Sequence, residues 1–312
     1  MLTIPFVLLV LAILVSLASV ICHLALPSIL RILDSVAPEL RAQLLLFAAG
    51  APWLIGASVL MSSLGDIFFG ACDFGSACLW NEDPAGIRPE SILAALPLLC
   101  ATIFLCARAV RQRLISRRVL SAFDAASDLV ADSAVRVIPN GAAFAFAGGG
   151  RVYVSSAIQD RLSPDQYRAV ILHEQAHLRR RDGLTVSIAR ILAGSYVPPF
   201  RGRLLNALAL ANEQCCDAHA ASFVGRDTVA AAILAVERMA AELVSGESRV
   251  IAGLPGFGDG FVAPRVRRLL NIEPPPPNFG IVRTGVVLTM LFAFLAGDVL
   301  YYLAMMILYP RL

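Results

Sequence analysis

Two long stretches of this chain carry no charged residue, Ile4 to Leu26 and Ala42 to Gly65. About 20 apolar residues, rising 1.5 Å each, take a helix across the ~30 Å hydrocarbon core of a bilayer. Both runs are long enough to span. Ser91 to Ala107 is a third uncharged run, near the lower limit of about 17 residues, and Thr284 to Leu308 is a fourth, broken only by Asp298. The composition agrees: the 312 residues are 58% hydrophobic and 16% charged, with mean hydropathy +0.72. Soluble domains sit near roughly 45–50% apolar and about 25% charged. A purely soluble protein is therefore not expected, and the length leaves room for one soluble lobe of about 150 residues beside the spans.

The first run lacks any Lys or Arg before it and any small-x-small cleavage site, and its apolar stretch is too long for a signal peptide, so it reads as an uncleaved span. All 26 basic residues are Arg, and they are unevenly placed. Arg31 and Arg41 lie between the first two runs, whereas residues 66–90 hold Arg88 against five acids, Asp66, Asp73, Glu82, Asp83 and Glu90. Arg108, Arg111, Arg113, Arg117 and Arg118 follow the third run, and Arg283 precedes the fourth. By the positive-inside rule both termini and the 66–90 loop are expected outside, with a lobe over 108–283 in the cytoplasm and a short outer tail, 309–312. That is the topology of a multi-pass protein of a bacterial-type inner (plasma) membrane, with spans at about 4–26, 42–65, 91–107 and 284–308 and a bilayer as partner. Direct contact with nucleic acid is not expected, because Arg179–Arg181 is the only run of three basic residues and no aromatics interleave it. Cys72 and Cys78 fall in the outer loop, where a disulfide and two free thiols are both open readings.

Within the lobe, residues 110–132 carry apolar groups at helical spacing. Val135–Ile138, Ala143–Ala147 and Arg151–Ser155 read as a small antiparallel sheet, with Asn140-Gly141 as a hairpin turn and Gly148–Gly150 as a turn rather than a phosphate loop. Ser163-Pro164 caps a helix that runs to about Arg181, and further helices are expected near 185–195, 203–222, 227–245 and 262–271. Gly253–Gly260 reads as loose and Pro274–Pro277 as a stiff spacer.

The chemistry concentrates in His173-Glu174-Gln175-Ala176-His177. Residues four apart lie about 40° apart around a helix, so both imidazoles face one side and grip one metal ion. Glu174 projects about 100° away and reaches a water on that metal. Chance produces this HExxH pattern on the order of 0.001 times in a shuffled chain of this composition, and half of the four His are spent on it. A catalytic zinc takes three protein ligands and leaves a position for water. Asn212-Glu213-Gln214-Cys215-Cys216-Asp217 offers the third: Glu213 as ligand, with Asp217 one turn on, placed to accept the free ring N–H of a ligand His. Cys215 and Cys216 read as packing residues, since the lobe has no partner Cys, and His219 points about 240° away from the Glu213 face.

HEQAHLRRRD, preceded by PNGAAFAFAGGGRVYVSSAI and LSPDQYRAVIL and followed by EQCCDAHAA, resembles the gluzincin metalloproteases of the BlaR/MecR antirepressor type. The resemblance covers nearly the whole chain, and the 36 residues from His177 to Glu213 fit that family's short gap. It implies a membrane α-helical protein of four transmembrane helices with a cytoplasmic α+β zinc-metalloprotease lobe. It also implies a zinc endopeptidase that cuts a cytoplasmic protein, a transcriptional repressor or itself, in signal transduction. The HtpX and CAAX-protease type shares the layout more distantly and implies quality control instead. Beta-lactam-sensing members carry a penicillin-binding sensor after the fourth span. Here the chain ends four residues past Leu308, so no such sensor is expected.

In the expected reaction, zinc held by His173, His177 and Glu213 polarises the scissile carbonyl, and Glu174 takes the proton of the attacking water and hands it to the leaving amine. The Arg151–Ser155 strand is a candidate to pair with an extended substrate. A signalling or scaffold subunit that binds metal without turnover is the competing class. Asp298 and His23, in or near spans, each admit a functional reading or that of a packing group; Arg265, Arg267 and Arg268 resemble the basic segment that follows the active site in these families, a solvated or phospholipid-facing patch being the other reading.

Overall fold

The computed structural model describes residues 26–34, 36–69, 117–129, 135–196, 198–244 and 261–270, with a few isolated positions besides. The first, third and fourth uncharged runs lie almost wholly outside these residues. So do His23, Cys72, Cys78, Asp298, Gly253–Gly260 and Pro274–Pro277. The second run falls in helix α1 (Pro38–Phe69), whose side chains are described as far as Leu54. Among the described residues no helix is long and apolar enough to cross a membrane. What they form is a mostly helical α+β lobe.

The lobe begins with helical residues 117–125 and strands β1 (Asp128–Leu129), β2 (Val135–Ile138), β3 (Ala145–Gly148) and β4 (Arg151–Ser155). Helices α2 (Ser156–Arg161), α3 (Pro164–Arg180) and α4 (Asp182–Leu192) follow, then a 3₁₀ turn at Ala193–Ser195. The series closes with α5 (Pro198–Val224), α6 (Arg226–Val244) and α7 (Val262–Leu269). The expected amphipathic helix over 110–132 is thus too long at its end, because Asp128 and Leu129 pair with β2 instead.

The sheet also corrects the expected topology. Its order is β1-β2-β4-β3, with β2 and β4 parallel and β3 and β4 antiparallel. Asn140-Gly141 is therefore no hairpin turn. Asn140 Oδ1 accepts from the Ala142 N–H at 2.8 Å, a local turn that sends the chain over to the far side of the β4 position. The real hairpin is β3–β4, closed by Gly149 and Gly150 at φ of 59° and 81°, the left-handed pair that a two-residue hairpin needs. At Gly148 a Cβ would sit 2.7 Å from Leu120 Cδ2, so the 117–125 helix lies directly on this corner. β4 is central, with Val152, Tyr153 and Val154 fully buried, so it is not the open strand that substrate pairing requires. Among the described residues the sheet's open sides belong to β1 and β3.

Two apolar cores meet along α5. One joins the sheet, α3, α6 and α7 through Val152, Val154, Ile158, Val170, Ile233 and Leu269. The other joins residues 26–49 to α4 and the first half of α5 through Leu45, Ala49, Ala189, Leu204 and Leu208. Between them α5 is buried nearly all round, from Ala211 to Asp217. A polar stretch enclosed in this way must satisfy its own polar groups, and that requirement shapes the site.

Candidate metal centre

Ser163 starts α3 with a capping box: its Oγ accepts from Gln166 N–H and its own N–H donates to Gln166 Oε1. Pro164 supplies the first helical residue, as the sequence predicts. Helical spacing then brings His173 and His177 together, their Nε2 atoms 3.2 Å apart. α5 packs alongside and delivers Glu213 to the same point. Its Oε2 lies 3.3 Å from His173 Nε2 and its Oε1 3.5 Å from His177 Nε2. These three residues form a group whose ligand atoms all lie within 4.8 Å of one another.

Those separations fit a zinc ion. Tetrahedral ligands at about 2.0–2.1 Å from zinc stand roughly 3.3 Å from each other. The back of each ring is also fixed. Asp217 Oδ1 lies 2.9 Å from His173 Nδ1, as the sequence predicts, and Asp182 Oδ2 lies 2.8 Å from His177 Nδ1. A carboxylate behind each ring keeps the proton on Nδ1 and turns the Nε2 lone pair toward the shared point. Two lone pairs and a carboxylate aimed at one spot repel each other, and a divalent cation between them converts the repulsion into coordination.

The titration directions express the same field. Burial works against charge on His173 and His177, but the carboxylates of Asp217 and Glu213 for the first, and of Asp182 for the second, outweigh it and raise both. Burial opposes ionisation of Glu213 as well, yet the two His and Arg265 hold its carboxyl well below the ordinary range. Glu174, 4% exposed, goes the other way: burial raises it, against the pull of His173 and His177. Of Glu174, Glu213 and Asp217, it alone is raised.

Asp182 is a contributor that sequence reasoning missed, and Arg265 one whose role it left open. Arg181 takes a left-handed conformation, φ 55° and ψ 40°, and its N–H closes α3 on His177 O and Leu178 O. This reversal starts α4 at Asp182 and swings that side chain back to His177. Arg180 holds it there, Nε to Asp182 Oδ1 3.3 Å, and also donates to Asn212 Oδ1. The position of an acid five residues past His177 was the available signal. For Arg265 the surface-patch reading does not hold: it is 2% exposed and donates to both oxygens of Asp217 at 2.7 Å.

Cys215 and Cys216 are buried and pack, as expected. Burial pushes their thiols up, to about 12 and about 11. Cys216 Sγ lies 3.4 Å from His177 Nδ1 and 3.6 Å from Asp182 Oδ2, backing that pair. His219 stays out of the cluster, its ring edge-on to Phe223.

Residues 109–249 match the family model described as Peptidase family M48. The lobe is a zinc metallopeptidase domain similar to that family. No curated protein and no solved structure matches the chain at the same standard. The matched stretch contains the HExxH helix, Asp182, Glu213 and Asp217, and it stops short of Arg265.

Proposed function

We propose that this chain is an integral-membrane zinc endopeptidase with its lobe in the cytoplasm, cutting a cytoplasmic regulatory protein as part of signal transduction. The observation that carries the catalytic part is the meeting of His173 Nε2, His177 Nε2 and the Glu213 carboxylate beside a buried Glu174. When bound there, zinc supplies Lewis acidity, polarising the scissile carbonyl and making water acidic enough to attack near neutral pH. His173, His177 and Glu213 hold the ion. Glu174 takes the proton from the attacking water and delivers it to the amide nitrogen as the C–N bond breaks. Asp217 and Asp182 keep the two rings in the tautomer that coordinates. An extended substrate would add to β3, the open strand on the α3 side, through main-chain hydrogen bonds.

The membrane part is supported by the uncharged runs and the Arg asymmetry, and by an apolar surface on the described residues. Phe47, Trp53 and Leu54 of α1 and Leu184, Ile188 and Ile191 of α4 are exposed, and Trp53 Nε1 donates to Leu192 O across the two helices. The antirepressor reading rests on the span layout and the short gap to Glu213. Membrane quality control of the HtpX type is the second reading, favoured by the M48 match.

The experiment uses the full chain in detergent. Wild type is expected to hold about one zinc, Glu213→Ala to lose it, and Glu174→Gln to keep zinc without cleaving. The Glu174 variant, expressed in cells, then retains its substrate: one regulator supports signalling, and a broad set of damaged membrane proteins supports quality control. Normal cleavage by Glu174→Gln would sink the mechanism.

A further inference from the structure

We propose that Arg265 is a positioning residue for the metal centre, and that α7 must dock on α5 for the third ligand to be held for zinc; this rests on the metallopeptidase reading above. All three nitrogens of its guanidinium are used. Nε and Nη2 form a fork on Asp217, to Oδ2 and Oδ1 at 2.7 Å each, and Nη1 lies 3.1 Å from Glu213 Oε2. One planar group thus ties the ligand Glu213 to the carboxylate that orients the ligand His173. A fork of this kind fixes direction as well as charge.

Burial makes the tie necessary. Asp217 and Arg265 are each 2% exposed, and the fork fixes where the Asp217 oxygens point. Without it the Asp217 carboxylate is free to turn, which slackens the hold on His173 Nδ1. Glu213 is freer, its side chain 26% exposed, and Nη1 of Arg265 is a cation that faces its Oε2. The residue that does this comes from outside α3 and α5. α7 is only eight residues long, and it is seated by Leu269 in the sheet-side core and by Arg268, which donates to Val36 O at 3.4 Å. The same short helix therefore touches the metal ligands on one side and the segment just ahead of α1 on the other.

The test measures zinc affinity of the full chain in detergent by competition with a chelator of known strength, beside the thermal midpoint of the metal-free chain. Arg265→Met is expected to bind zinc about 10–100-fold more weakly, the range for groups that orient metal ligands. Arg265→Lys keeps the charge and not the fork, so it should fold where Met fails and still lose about 10-fold. Arg267→Ala, exposed on the same helix, should match wild type. A purely structural Arg265 would lower the metal-free midpoint and leave affinity unchanged, and equal affinity of wild type and Arg265→Lys overturns the proposal alone. Wild type that takes up no zinc overturns the metallopeptidase reading and this inference with it.

Discussion

The Asp182 carboxylate reaches the ring of His177 from the first turn of the next helix, with Oδ2 2.8 Å from Nδ1. Asp217 does the same for His173 from α5. Each zinc ligand on α3 thus has its own acid, and the two acids arrive by different routes. Asp182 comes through a chain reversal only five residues past His177, and Asp217 through the packing of a helix that carries it 44 residues past His173.

That difference separates two substitutions. Asp182→Asn keeps a polar group at the same place and should weaken zinc binding about 10–100-fold while leaving the fold in place. Chelator competition measures it, and an affinity unchanged from wild type would remove Asp182 from the site.

Asp217→Asn has a second consequence, because it strips the partner from a buried Arg265. Breaking such a pair costs about 3–5 kcal/mol. The variant should therefore lose zinc and also unfold at clearly lower temperature, whereas Asp182→Asn does the first without the second.

At Arg181 the prediction concerns the backbone. A left-handed residue other than glycine is strained by about 1–2 kcal/mol, and Gly returns part of that as unfolded-state entropy. Arg181→Gly should raise the thermal midpoint of the zinc-loaded chain by roughly 2–4 °C. Arg181→Pro removes the N–H that closes α3 and should lower both the midpoint and the zinc content.

A fourth prediction lies away from the metal. Asp124 accepts from the Tyr153 hydroxyl at 2.7 Å and from Arg151 at 2.8 Å, with Arg136 nearby, and the Tyr153 bond chiefly holds its carboxyl below the ordinary range against partial burial. A depressed folded value means stabilisation that is present above the unfolded value of about 3.9 and lost as pH falls through the folded one. Asp124→Asn should melt below wild type at pH 6–7, and the gap should close under acid conditions. A gap that persists below pH 3 would assign the loss to packing instead.

By itself the sequence determined the HExxH helix, its Ser163 cap, the pairing of Glu213 with Asp217 and the extents of α5, α6 and α7 to within a few residues. These are local properties: 3.6-residue periodicity, a capping pattern and a motif whose chemistry leaves few alternatives. Tertiary structure alone decided the strand order and the role of Arg265. A strand's partner depends on where the chain crosses, and Asn140-Gly141 serves a crossover as readily as a hairpin. An Arg looks the same in sequence whether it faces water or ends in a bidentate pair at 2% exposure. Only the packing of α7 against α5, with no water left to compete, turns that side chain into part of the metal site.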